Sequence, residues 1–114
     1  MDPVTIGSHY AQSGIDNFTA RTLVAPSANV NGLVIRTCQL AGVNGNVRLH
    51  TGKVGPKDRD YGDRTITTIL TVNGGSSLTT VVMPYELQIP AGYGLWSGND
   101  QQSTGNVFLT YDLL

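Results

Sequence analysis

Charge is scarce in this chain. Only 13% of its 114 residues are Asp, Glu, Lys or Arg, about half the share usual in soluble proteins. Seven basic and eight acidic side chains nearly cancel, leaving a net charge of −1 and a pI of about 6.0. No bulk field therefore draws the chain to nucleic acid or to an anionic membrane. Its Lys and Arg residues form no stripe with interleaved aromatics, so a nucleic-acid-binding barrel is not expected. Cysteine is limited to Cys38, which excludes an internal disulfide. Cys38 lies in an apolar run, where a buried thiol is expected. Neither His9 nor His50 stands at a spacing that would make it the base of a nucleophilic cysteine. No apolar run approaches 18 residues, so no membrane-spanning helix is expected. The opening MDPVTIGSHY lacks the basic start and apolar centre of a signal peptide.

Catalytic signatures are missing too. There is no Gly-Lys-Ser/Thr phosphate loop, no Gly-x-Ser-x-Gly elbow and no His-Glu-x-x-His pair. Asp58, Asp60 and Asp63 are neighbours in sequence, but one loop does not hold carboxylates in the paired geometry that acid–base chemistry needs. Glu86 and Asp112 fall in strand patterns and are expected to point outward. Asp58-x-Asp60 opens like a calcium loop, but the third ligand is missing, the glycine comes one position early and no Glu follows at the right distance. The chain is expected to be no enzyme, with no catalytic residues, no metal and no cofactor.

Thr, Ser, Asn and Gly take the place of charge, at 42 of the 114 residues. Gly and β-branched Thr disfavour long helices, and strand-like segments recur between turn signals. Thr19 to Val24 reads as a strand ended by Ala25-Pro26-Ser27. Leu33 to Leu40 is apolar on both faces at its start, as in a central strand. Val43 to Asn46 contains Asn-Gly, a hairpin signal. Val47 and Leu49 then point inward, Arg48 and His50 outward. Ile66, Thr68, Leu70 and Val72 share a face. Leu78 to Met83 follows an Asn-Gly-Gly break, and Pro84 interrupts it. Tyr85, Leu87 and Ile89 are expected inward. Gly94 to Ser97 is a candidate short strand, and Val107, Leu109, Tyr111 and Leu113 form the last one. Seven or eight short antiparallel strands in one domain argue for an all-β sandwich or barrel. Residues 1–18 are weakly patterned and read as an extended arm, leaving 19–114 as the sandwich.

Two clusters are candidate sites. Residues 53–64 carry seven of the fifteen charged side chains. Lys57, Asp58, Arg59, Asp60, Asp63 and Arg64 form either a solvated loop or an inter-subunit contact, since mixed charges suit register-setting between copies. The second is aromatic. Tyr93 and Trp96 lie among Gly92, Gly94 and Gly98, close to Asn99, Asp100 and Gln101. An exposed Trp96 beside those polar groups would make a sugar platform. Alternatively, Leu95 or Trp96 fills the core or an interface. Phe108 and Leu114 oppose Val107 and Leu109 on the last strand, which is thus apolar on both sides and calls for a cover on its second face, such as a partner subunit.

The stretch LQIPAGYGLWSGN…GNVFLTYDLL resembles the closing strands of small jelly-roll or β-sandwich modules in virion proteins of tailed bacteriophages. The resemblance covers about thirty residues. It implies a jelly-roll-like antiparallel sandwich and a structural role without chemistry. Such modules commonly trimerise and serve as capsid decoration or minor capsid proteins, or as tail-fibre, adhesin and baseplate parts. The expectation is a homotrimer, made in the host cytoplasm and placed in the virion. Its contacts would be with the major capsid protein or, in a tail fibre, with a host-surface glycan. Tyr93, Leu95, Trp96, Phe108 and Leu114 would form the oligomer interface or the ligand platform.

Overall fold

In a computed structural model, described over residues 5–15, 21–54, 67–99 and 103–114, nine strands pack as two antiparallel sheets. They are β1 (His9–Ile15), β2 (Arg21–Val24), β3 (Leu33–Val43), β4 (Gly45–Gly52), β5 (Thr67–Gly74), β6 (Thr79–Val82), β7 (Leu87–Ile89), β8 (Gly94–Asn99) and β9 (Thr104–Leu113), with a short 3-10 turn at Pro26–Ala28. The front sheet runs β1-β9-β3-β6, with β7 also against β3, and the back sheet runs β2-β8-β4-β5. One rule generates both sheets. β1 pairs β9, β2 pairs β8, β3 pairs β6 and β7, and β4 pairs β5. The first half of the chain thus lies antiparallel against the second, as one long hairpin. Rolling it so that β9 meets β3 and β8 meets β4 makes the two sheets. This is the jelly roll, and the fold class expected from the strand pattern is the one observed.

The core follows from period-two alternation. Ile15, Cys38, Leu40, Val107 and Leu109 face inward from the front sheet, and Val24, Val47, Leu49, Val72 and Leu95 from the back, all buried in one cluster. Each fully buried Leu or Ile contributes about 1.5–3 kcal/mol relative to exposure. Cys38 is one of these packing residues, and burial pushes its thiol up to about 12.

Several local expectations change. Asn-Gly at 44–45 is not a hairpin turn. Both edges of β3 are taken, by β9 on one side and by β6 and β7 on the other, so β4 has no edge of β3 to pair with. Asn44 (φ 62°) instead steps the chain from the front sheet into the back sheet, its N–H donating to Gly75 O at 2.8 Å. Residues 9–15, expected within an arm, form the edge strand β1, whose inward Ala11 and Ser13 are too small to make a visible apolar stripe. Tyr85 is not inward: it precedes β7 and lies exposed after Pro84, while Ile89 is buried. Pro84 does interrupt, leaving β6 and β7 as two short pieces along one side of β3.

At the Asn44 end the sheets come close enough that only glycine fits. Gly42 faces Gly105 in register, and Gly45 faces Gly74. A Cβ on Gly74 would overlap the carbonyl oxygen of Gly42 in the facing sheet, and one on Gly105 would overlap that of Ala41 on the neighbouring strand β3. Backbone cannot step aside as a flexible side chain can. Gly105→Ala or Gly74→Ala is therefore expected to cost more than about 2 kcal/mol in urea unfolding. Gly75→Ala, where added bulk meets open space, should stay within about 0.5 kcal/mol of the parent.

Candidate functional site

The front sheet turns one face to the core and the other away from it. Alternation sets Tyr10, Gln12 and Gly14 of β1 on that outer face, with Asn106, Phe108 and Thr110 of β9 and Thr37, Gln39 and Ala41 of β3. Registration then makes rows across the sheet. One row is Gln12, Phe108, Gln39 and Val82, and the row beside it is Tyr10, Thr110 and Thr37. Phe108 sits at the centre, 48% exposed, with Tyr10 at 75% and Val82 at 61%. Beside Phe108 is a groove of about 200 Å³, lined by Tyr10, Thr37, Gln39, Val82 and Thr110. A second depression of about 270 Å³ lies over Gly14, bounded by Gln12, Asn106 and Phe108. Neither contains a charged side chain. Thr37 and Thr110 spend their hydroxyls on each other at 2.6 Å, which leaves the floor of the groove with less hydrogen-bonding demand.

Among the described residues, charge is confined to one end of this face. A bulge in β3 between Ile35 and Thr37 makes Arg36 an extra residue against β9. Its Nε donates to Asp112 Oδ2 at 2.8 Å and its Nη1 to Glu86 Oε2 at 2.7 Å. The Ser8 N–H and hydroxyl donate to Asp112 Oδ1 at 2.7 and 2.9 Å. Led by the Ser8 N–H and then by Arg36, these donors hold the Asp112 carboxyl down, from 3.8 to about 2. Glu86 and Asp112 were expected to point outward, and they do so as partners of one arginine.

The back sheet differs. Trp96 follows core residue Leu95 and His50 follows core residue Leu49, so both belong to the face turned away from the core. A row of Thr22, Trp96, His50 and Thr68 crosses that sheet. Trp96 Nε1 donates to Thr22 Oγ1 at 3.1 Å, and His50 Nδ1 lies 2.9 Å from Thr68 Oγ1. Yet Trp96 is only 5% exposed and His50 1%. The outward parity expected of His50 holds, but exposure does not follow from it.

The aromatic cluster read from the sequence therefore does not form one site. Leu95 is in the core, and Trp96 is buried on the back sheet with its N–H used. The sugar platform that required an open Trp96 face is not built. Tyr93 packs partly on the core, with Lys53 Nζ 5.9 Å from its ring centre. Leu114 is half-exposed and tied through its backbone N–H to Gly32 O at 2.9 Å. Only Phe108 lies on the outer face of the front sheet. Lys57, Asp58, Arg59, Asp60, Asp63 and Arg64 fall outside the described residues. Pro90-Ala91-Gly92 forms a turn, closed by Tyr93 N–H to Pro90 O at 3.3 Å, with Gly92 at the positive φ of 82° that such a turn needs. Asn29, which the sequence did not single out, staples it. Its side-chain NH2 donates to Pro90 O and Tyr93 O at 2.7 and 2.9 Å. Tyr10 was missed because a seven-residue strand with small inward residues resembled an arm.

Among the described residues, no three His, Cys, Asp or Glu gather where they could hold a metal, and no helix is long and apolar enough to cross a membrane. No protein-family model and no curated protein matches the chain.

Two outcomes follow. Trp96 is the sole tryptophan, so native fluorescence should resist quenching by iodide and become accessible only on unfolding. Asp112 has its carboxyl lowered in the fold, so its contribution to stability is complete above the ordinary carboxylate range. That contribution is lost as pH falls from 3.8 towards about 2. In urea titrations the parent should exceed Asp112→Asn at neutral pH, and the gap should close across that acid window.

Proposed function

We propose that the chain is a non-enzymatic structural protein of a bacteriophage virion, a capsid decoration or minor capsid protein that self-associates on the particle. The observation that carries this reading is the outer face of the front sheet. It joins Tyr10, Phe108 and Val82 in an uncharged surface on a small jelly roll. A lone exposed apolar side chain is ordinary, whereas a contiguous apolar patch rimmed by polar groups marks a contact surface. Glutamine and threonine around Phe108 supply hydrogen bonds without the desolvation cost of charge. The resemblance of the closing strands to phage modules supplies the setting, with the major capsid protein as partner and, once seated on the particle, copies of itself as a homotrimer. The alternative, a tail-fibre module that binds glycans, loses its support with Trp96 buried.

The test is sedimentation with purified capsid shells of the phage that carries the gene. The parent should co-sediment in a fixed stoichiometry. Phe108→Asp should melt at the parent's temperature, because the side chain lies outside the core, and should bind shells at least tenfold more weakly, given about 1.5–3 kcal/mol for a buried Phe. A parent chain that never co-sediments would overturn the proposal.

A further inference from the structure

Sheet edges expose unpaired N–H and C=O groups, and proteins blunt them with short strands, proline, charge or bulges. Among the described residues the two sheets have four edges, and three of them are blunted. Along β3, the edge is split into β6 and β7 around Pro84. β2 is four residues long with a register shift between Thr22 and Val24. The β4–β5 ladder shifts register between Leu49 and His50, so that Ile69 is an extra residue and β5 bends. β1 has none of these devices. Its seven residues, HYAQSGI, contain no proline and no Asp, Glu, Lys or Arg. They pair with β9 without a shift from His9↔Tyr111 to Ile15↔Gly105, and among the described residues β1 pairs no other strand.

We infer that β1 pairs antiparallel with β1 of a second copy across a two-fold axis at Gln12, joining two front sheets into one. Sequence and shape select both the partner and the register. Strands that meet on a two-fold perpendicular to the sheet must keep outer residues beside outer residues, because opposed residues share a face. Of the registers that do so, the one centred on Gln12 uses all seven residues. It sets His9 against Ile15, Tyr10 against Gly14, Ala11 against Ser13, and Gln12 against its own copy. Tyr10 is the most exposed large apolar side chain of the described residues. Gly14 is its complement: added bulk there meets nothing within 4 Å, and a depression of about 270 Å³ opens above it, walled by Gln12, Asn106 and Phe108. The Tyr10 ring of one copy enters the depression of the other and reaches the edge of Phe108, and the two-fold repeats the contact. Such a self-complementary patch is what an isologous interface requires. A bulky residue at 14, or a register two residues away, would lose this fit.

The inference does not rest on the virion reading, and its test needs no capsid. In an antiparallel pair the opposed Cα atoms are roughly 4.5–5.5 Å apart, within the roughly 4.4–6.8 Å span of a disulfide. Cys38 is buried and does not compete. Under mild oxidation, the Gln12→Cys chain should form a covalent dimer at least tenfold faster than a Ser27→Cys control, whose cysteine lies on the exposed 3-10 turn. Tyr10→Cys mixed with Gly14→Cys should give a mixed dimer, while each alone stays at the control rate. In parallel, the mass of the parent should rise with concentration towards that of two copies. Gln12→Lys, which sets like charges opposite each other, should weaken that association at least tenfold without changing the melting temperature measured at concentrations where the parent is monomeric. Cross-linking of Gln12→Cys no faster than the control, or a parent that stays monomeric at every concentration, overturns the inference. A Gln12→Cys dimer without the mixed Tyr10–Gly14 product overturns the register.

Discussion

The pairing of β3 with β9 governs this structure. It runs from Leu33↔Leu113 to Val43↔Thr104 and joins residues from opposite ends of the rolled hairpin. Because β9 takes one side of β3, and β6 and β7 take the other, β3 becomes the buried spine of the front sheet. That occupancy forces the chain to leave the sheet at Asn44, and it makes the glycine corner necessary, since the sheets must converge where the chain crosses. The same ladder centres Phe108 between Gln12 and Gln39, and its one bulge delivers Arg36 to Asp112 and Glu86. Core, crossing and outer face are consequences of one ladder.

The two outer faces have different chemistry for the same alternating geometry. On the back sheet, Trp96 and His50 are buried and hydrogen-bonded within a row of threonines. On the front sheet, Phe108, Tyr10 and Val82 are open, and the Arg36 ion pairs with Glu86 and Asp112 lie at one end. An apolar row with its polar handles already used is a finished structure. One flanked by glutamines, with Tyr10, Phe108 and Val82 exposed, leaves apolar surface against water. This contrast is the reason the proposed contact face is placed on the front sheet and not on the aromatic Tyr93–Trp96 segment.

Much of the fold was legible in the sequence because alternation is local. Val47, Leu49, Leu87 and Ile89 announce strands through their own neighbours, and low charge with abundant Thr and Gly excludes helices. What stayed hidden depends on distant partners. Asn44-Gly45 has the chemistry of a hairpin turn and lacks only a free edge on β3, which residues more than thirty positions away occupy. Trp96 and His50 have outward parity and are nevertheless covered. Strand β1 has small inward residues, so its membership of the sheet is decided by β9, far away in sequence. The candidate site was half visible for the same reason: Phe108 stood out on a two-faced strand, but Tyr10, Gln12 and Val82 become its neighbours only through registration.

The nested order also sets a schedule. β9 is made after every other strand described here, yet it lies between β1 and β3. Until Thr104–Leu113 has left the ribosome, β1 has no partner in its sheet and one side of β3 is bare. Contacts between residues about a hundred positions apart must then form together, which is the slow regime of folding. During that interval the growing chain displays two open strands with low charge to resist sticking, so its yield in a cell depends on how quickly the last strand arrives.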